Sequence, residues 1–303
     1  NGDYLVFAAN GSRQMLSIDF DKATYSVTDA AGDKTTGTLT KPAIADNPWD
    51  VLNSRITSGG VNTSSLYGLG DTVIGAFPFA APFSNPVTYP AAPFEASRAH
   101  VMKQGNLDGD YNRARIEVTA TGRESAIAQI EISGGGTVMK QCTDLIIYRI
   151  DKCPQASLVT SAIAADGDTG LWTLKNPADG SLLGRFAIAD VDGEKVYLSA
   201  GSTVGGASQV FAIGVPESAG YADFHGIGWS AGATFDVSSV ASSQYSVSVW
   251  PVQMKTLTLA PLAVDSPTGM RSATDGADTY FAMRSRRLET LIGARSQPAT
   301  RGF

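Results

Sequence analysis

Apolar and polar residues alternate in short runs along most of the chain, and Gly, Asp, Asn or Ser residues separate the runs. In residues 244–250, Tyr245, Val247 and Val249 share one side and the intervening serines share the other. Such alternation is typical of an antiparallel strand with one buried face. The pattern therefore predicts an all-β protein built mainly from antiparallel hairpins, as a barrel or a sandwich.

Several neighbouring runs are separated by turn-forming residues and are interpreted as β-hairpins. The paired runs are 4–9 with 13–20, 22–29 with 34–41, 113–121 with 125–133, 183–190 with 194–200, 244–250 with 254–263, and 279–284 with 288–293. Helical signals are few. Asn47 followed by Pro48 predicts a short helix at 48–55, and residues 216–224 fit one further turn.

The cluster Ser133, Gly134, Gly135 and Gly136 is the clearest candidate boundary within the chain. It predicts two β units, an N-terminal one at 1–135 and a C-terminal one at 136–303. A single large β domain is the alternative.

Composition excludes several classes of protein. The chain has 303 residues, of which 43% are hydrophobic and 17% charged, so it can form a core and is not disordered. It has no uncharged apolar run long enough for a transmembrane helix. A net charge of −6 gives no attraction to nucleic acid. No nucleotide-binding motif occurs, and no cofactor is predicted.

The two cysteines, Cys142 and Cys153, predict a disulfide that closes a loop or braces neighbouring strands. The residues between them, 143–152, are interpreted as strand-like. Two separate buried thiols are the alternative. A disulfide indicates an extracytoplasmic location: periplasmic, secreted or surface-anchored after removal of a signal. The small-residue composition, rich in Asp, Thr and Ala, looks like that of a bacterial exported protein.

Ser230 lies in a Gly-Trp-Ser-Ala-Gly sequence that matches the nucleophile pattern of serine hydrolases. That chemistry requires a helix after the serine and a later histidine. Both histidines of the chain, His100 and His225, precede Ser230, and an alternating pattern follows it. The motif is therefore interpreted as a glycine-flanked turn, and no catalytic residue is predicted.

A group of oxygen-bearing side chains resembles the ligand spacing of a calcium loop. However, Tyr111 occupies the position where the loop needs glycine, and Arg113 and Arg115 bring opposing charge. A polar turn is the preferred interpretation, so no metal is predicted. The weak candidate ligands are Asn106, Asp108, Asp110, Asn112 and Glu117.

Residues 76–94 combine five prolines with five aromatic side chains and carry no charge. Proline at this density predicts an extended, stiff loop. Such a loop either contacts a ligand or partner, or caps a barrel with its rings. The candidate ligand-binding residues are Phe77, Phe79, Phe83, Tyr89 and Phe94.

The leading hypothesis is an exported, non-catalytic binding or cell-surface module. Its partner would be a small apolar molecule, a glycan or a protein. One alternative is a glycoside or ester hydrolase whose acidic residues no motif identifies. The other is a structural protein of the cell envelope.

Overall fold

The computed structural model describes residues 1–44, 47–52, 64–167, 170–218, 224–230, 233–240, 244–249, 253–276 and 278–295. Within these ranges strands dominate, and the helical segments are short 3-10 turns at Gln104–Asn106, Ile150–Lys152 and Gln155–Ser157. The prediction of an all-β protein of mainly antiparallel hairpins is confirmed, and of the two predicted forms, barrel or sandwich, the structure has closed barrels. None of the described helices is long and apolar enough to cross a membrane.

The first eight strands form a closed antiparallel barrel, called here the first barrel. Each strand pairs with the next, and β8 closes the barrel by pairing with β1, as in Leu5 with Ser97. The strands are β1 Gly2–Ala8, β2 Arg13–Asp19, β3 Thr24–Thr28, β4 Lys34–Thr40, β5 Trp49–Leu52, β6 Ser65–Leu69, β7 Thr72–Pro78 and β8 Ala91–Ser97.

The next eight strands form a second closed barrel with the same order. Its last strand pairs with its first along nine residues, from Ser208 with Thr119 to Pro216 with Tyr111. The strands are β9 Gly109–Thr119, β10 Arg123–Ser133, β11 Val138–Cys142, β12 Leu158–Ala165, β13 Trp172–Lys175, β14 Leu182–Val191, β15 Glu194–Ser202 and β16 Ser208–Pro216.

Two four-stranded antiparallel sheets follow, each in sequence order. The hairpins that alternation predicts are present in both barrels and both sheets. The strands are β17 Phe224–Ser230, β18 Ala233–Val240, β19 Gln244–Val249, β20 Gln253–Thr258, β21 Ala260–Pro261, β22 Met270–Asp275, β23 Asp278–Arg284 and β24 Glu289–Arg295.

The prediction of a helix at 48–55 is wrong over the residues described. Trp49–Leu52 is strand β5, which pairs with β4 through Thr40 with Asp50 and Thr38 with Leu52. This pairing is needed to close the barrel, so it overrides the local helix-start signal. Residues 53–55 lie outside the described residues. Of the further turn predicted at 216–224, Pro216 is the last residue of strand β16, and residues 219–223 lie outside the described residues.

The glycine cluster at 134–136 forms the turn between β10 and β11, inside the second barrel. All three glycines have positive φ, from 69° to 76°, a backbone conformation that residues other than glycine rarely adopt. The chain passes from one barrel to the other at residues 98–108. The division into independently folding parts at 1–135 and 136–303 stays a prediction.

Apolar side chains fill the first barrel, and aromatic rings close its core. Phe77 contacts Tyr25 and Phe79, and Phe79 contacts Phe94, with ring centroids 5.0 to 5.8 Å apart. The interpretation of 76–94 as one loop is wrong at its two ends, which are strands β7 and β8. Pro93 is tolerated within β8 because β8 pairs with β1 only from Phe94 onwards.

The outer faces of the barrels are also apolar where they meet the rest of the chain. Phe7 of the first barrel packs in one cluster with Ala187 and Leu198 of the second. The same cluster includes Ala114 on β9 and Met283 in the last sheet. Strands at this seam therefore bury apolar residues on the outside of the barrel, which leaves their inner face available for other side chains.

We predict that Phe79→Ala lowers the free energy of unfolding by about 3–5 kcal/mol, because Phe79 is 1% exposed among packed rings. Phe83→Ala is the matched control. Phe83 is 44% exposed, so its truncation should change stability by about 0.5 kcal/mol or less. Urea denaturation measures both. Equal losses for the two variants would show that the ring cluster does not support the barrel.

Candidate ligand site in the second barrel

Large side chains fill one end of the second barrel. Tyr111, Trp172, Phe186 and Tyr197 are buried in one cluster, and the rings of Phe186 and Tyr197 stack with centroids 5.1 Å apart. Leu107, which follows the first 3-10 turn, joins this cluster. We call this the closed end of the barrel.

The inner face of β9 carries charge above this closed end. Side chains alternate along a strand, so Arg113, Arg115 and Glu117 share the side of buried Tyr111. Gly214 lies opposite Arg113 on β16, and its surroundings confirm that this face points into the barrel. A Cβ added to Gly214 would lie 3.1 Å from Cβ of Tyr197 and 3.3 Å from Cβ of Tyr111.

Arg113 and Gln141 form the centre of the candidate site. Nη2 of Arg113 donates to Oε1 of Gln141 at 2.6 Å, although their strands are separated by β10. Arg113 is 7% exposed. Within the described ranges, neither Nε of Arg113 nor Nε2 of Gln141 has a hydrogen-bond partner, and both atoms are buried. An unpaired buried donor costs about 1–3 kcal/mol, so two such donors indicate a place for an acceptor.

The surroundings of Arg113 do not neutralise its charge. Burial lowers the pKa of the Arg113 guanidinium, nearby Tyr197 opposes this shift, and Arg115 adds to it. Burial likewise raises the pKa of the Tyr197 hydroxyl, against the effect of Arg113. An arginine remains charged in proteins. The interior therefore favours an anion beside Arg113.

Arg115 already has a carboxylate partner. Its Nη2 lies 2.6 Å from Oε2 of Glu117, and the other oxygen of Glu117 accepts a hydrogen bond from Ser208. Both charged side chains of the pair are largely buried, at 12% and 16% exposure. Among the described carboxylates, none pairs with Arg113, so the charge that needs a partner lies at Arg113.

Small residues line the barrel wall near the charged groups. Ala128 and Ala126 lie opposite Arg113 and Arg115 on β10. A Cβ added at Gly184 on β14, or at Gly201 on β15, would meet no atom within 4 Å. Both glycines alternate with interior residues, Phe186 and Tyr197 respectively. This half of the barrel therefore has room that the closed end lacks.

The roomy half ends at what we call the mouth. Four connections lie there: 120–122, 143–157, 176–181 and 203–207. The longest contains the predicted disulfide, which is present between Cys142 and Cys153 with a Cα–Cα distance of 5.7 Å. The interpretation of 143–152 as strand-like is wrong, because β11 ends at Cys142 and a 3-10 turn at Ile150–Lys152 precedes Cys153.

The weak metal candidates have separate partners. Asp108 accepts hydrogen bonds from the backbone of Gly135 and Gly136, and the side chain of Asn112 donates to the carbonyl of Thr268 at 2.7 Å. Across the described residues, no group of three or more His, Cys, Asp or Glu residues is placed to hold a metal ion. The remaining candidates are Asn106 in a 3-10 turn, Asp110 on the outer face of β9, and Glu117, which pairs with Arg115.

Ser230 ends strand β17 and lies across from Ala233 in a hairpin, so a strand follows it rather than a helix. His225 is on the same strand five residues earlier, and a strand rise of roughly 3.3 Å per residue puts the two Cα atoms about 16 Å apart. His225 and Ser230 therefore lie at opposite ends of β17. His100 forms an isolated bridge with Ala189, and burial lowers its pKa.

The aromatic candidates divide into two groups. Phe77, Phe79 and Phe94 are buried in the first barrel. Phe83 and Tyr89 are 44% and 39% exposed on the connection between β7 and β8. Ligand binding by this segment stays a prediction, and it depends on the two exposed rings.

Sequence reasoning missed Arg113 and Gln141 as site residues. The signal was present in Arg113, Arg115 and Glu117, three charged residues at every second position of one strand. Charged residues on an alternating strand are ordinarily assigned to the solvent face. Here the opposite face, with Ala114 and Ile116, packs in the apolar seam, so the charged face turns inwards.

Glu95 is a second buried charged residue, but its surroundings differ. It lies on the outer face of β8 between Phe7 and Ile74, at the seam between the barrels. Neither of its oxygens has a partner among the residues described, and burial raises its pKa to about 8. With apolar neighbours in the sheet and no donors, Glu95 is a group that affects stability rather than part of the ligand site.

Comparisons with known proteins add little. No protein-family model matches the sequence, and a search of curated proteins found no match. A search of solved structures found similarity to a protein of unknown function from the DUF3598 family of Nostoc punctiforme. The identity is 11%, the match covers 71% of this chain and 94% of that chain, and the TM-score is 0.25.

Glu95→Gln should reduce the pH dependence of stability. The pKa of Glu95 rises from 4.5 to about 8 on folding, so the folded chain holds a proton that the unfolded chain releases between these values. Wild-type stability should therefore fall as pH rises through this range, by up to about 1.4 kcal/mol per pH unit. Urea denaturation should show the variant gaining relative to wild type as pH increases. A stability difference between Glu95→Gln and wild type that does not change with pH would contradict this prediction. Glu124→Gln, which changes an exposed carboxylate, is the control.

Replacing both central residues, in Arg113→Met with Gln141→Leu, should leave the unliganded protein as stable as wild type or up to about 2 kcal/mol more stable. The double change orphans neither member of the Arg113–Gln141 pair, and a buried charge costs desolvation energy. Tyr197 loses its interaction with Arg113, which limits the gain. Arg113→Met alone orphans the oxygen of Gln141 and should be the less stable variant. Denaturant unfolding measures both. A large loss in the double variant would assign Arg113 a structural role.

Proposed function

We propose that this chain is an exported, non-catalytic binding module whose ligand binds inside the second barrel. The observation that carries the proposal is the pair of buried donors without acceptors, Nε of Arg113 and Nε2 of Gln141. A ligand with an acceptor at one end satisfies both donors and offsets the charge of Arg113. The disulfide is compatible with export.

The contrast between the two barrels supports this location for the ligand. The first barrel is filled by apolar and aromatic side chains and serves as a packed core. In the second barrel the large buried rings lie at the closed end, and small residues such as Ala128, Gly184 and Gly201 lie on the wall beside the charged groups. An interior of this kind is typical of barrels that hold one small ligand.

The test is binding of benzoate, and of its neutral amide, to wild type and three variants by calorimetry. Arg113→Met removes the charged donor, and Gly184→Leu fills the free space without changing a donor. Both should weaken benzoate binding at least tenfold. Arg123→Met, the same substitution on an exposed arginine of β10, should bind as wild type does.

Thermal unfolding without ligand confirms that each variant is folded. Binding that survives both Arg113→Met and Gly184→Leu would place the ligand elsewhere, with the exposed rings of Phe83 and Tyr89 the next candidates. Wild type that binds neither probe nor any related acid would favour a structural role in the cell envelope.

A further inference from the structure

The mouth of the second barrel carries exposed apolar side chains. Five large ones lie on the strands or connections at this end. They are Leu145 at 70% exposure, Ile146 at 55%, Val159 at 48%, Leu183 at 46% and Val204 at 71%. We call these five residues the apolar rim. Large apolar side chains exposed at one end of a barrel are candidates for contact with a ligand or partner.

We propose that the ligand is an amphiphilic monocarboxylate, with its carboxylate on Arg113 and Gln141 and its apolar tail directed to the apolar rim. This inference rests on the proposed function and adds the chemical class of the ligand. It also gives a role to the connection that the disulfide closes, because Leu145 and Ile146 lie between Cys142 and Cys153.

Charge and geometry select a carboxylate for the inner end. Glu117 already pairs with Arg115, so one positive charge, that of Arg113, needs a partner. The free donors are one guanidinium N–H and an amide nitrogen, on side chains joined by a hydrogen bond. A carboxylate offers two oxygens in one plane and a single negative charge. A phosphate dianion would bring a second charge with no matching cation.

The path from the donors to the rim selects an apolar tail. Gly184 and Gly201 are within two residues of the mouth ends of β14 and β15, and their missing side chains leave free space. Gln141 is the last residue before Cys142, where β11 ends and the connection carrying Leu145 begins. A tail that leaves the donor pair along this wall therefore reaches the apolar rim, where its burial covers surface otherwise exposed to water.

The experiment measures affinity for butanoate, octanoate and octanol by calorimetry. Each CH2 that leaves water adds up to about fourfold in affinity, so octanoate should bind at least about tenfold tighter than butanoate. Octanol lacks the charge and should bind at least tenfold more weakly than octanoate. Arg113→Met should weaken the binding of both acids. This variant should bind octanoate no more tightly than octanol.

The rim is tested by the double variant Ile146→Ser with Val204→Ser, with Ile44→Ser as control. Ile44 is 64% exposed and lies on the connection between β4 and β5 of the first barrel. The double variant should weaken octanoate binding at least threefold and leave butanoate unchanged. The control should change neither acid.

The outcomes separate the two proposals. Arg113-dependent binding of butanoate with no gain for octanoate overturns the amphiphile and keeps the binding module. A rim variant that loses binding to phosphatidylcholine vesicles but keeps octanoate affinity makes the rim a membrane contact, which also overturns the amphiphile. Failure of every acid to bind in an Arg113-dependent way overturns both proposals.

Discussion

The apolar seam outside the second barrel is the interaction on which the rest of the structure depends. Ala114 and Ile116 on β9 and Leu198 on β15 pack outwards against side chains such as Phe7 and Met283. Most small β-barrels bury apolar residues inside and expose polar ones. Here neighbouring elements cover the outside, so the hydrophobic burial that stabilises these strands comes from both faces. The interior can then hold Arg113 without the barrel losing its only core.

The two barrels share a topology and differ in what they enclose. In the first barrel, rings from Tyr25, Phe77, Phe79 and Phe94 fill the interior, and the proline-rich segment supplies three of them. In the second, the aromatic rings lie at the closed end, and charged side chains with small residues such as Gly184 and Gly201 follow towards the mouth. The two barrels therefore differ in the size and charge of their inward side chains. The first acts as a packed core, and the second holds the candidate ligand site.

Alternation along the sequence was sufficient to predict six of the hairpins, and the isolated pair of cysteines predicted the disulfide between Cys142 and Cys153. Alternation could not tell a barrel from a sandwich, because closure depends on pairs such as Leu5 with Ser97 that are distant in sequence. Local signals also failed where long-range pairing dominates, as at Trp49–Leu52. The site was missed because alternation separates two faces without saying which is inside. For Arg113, that choice is made by elements elsewhere in the chain.

The order of the strands has a consequence for how the chain folds. In both barrels each strand pairs with its neighbour in sequence, so most contacts form across short turns. Only the closing pairs, β8 with β1 and β16 with β9, join strands that are far apart in the chain. Forming such distant contacts costs loop entropy and slows folding. We expect each open meander of hairpins to form first and the closing pair to be the slow, committing step. Until that step, the inner faces of both barrels are exposed to water, including the arginines of β9.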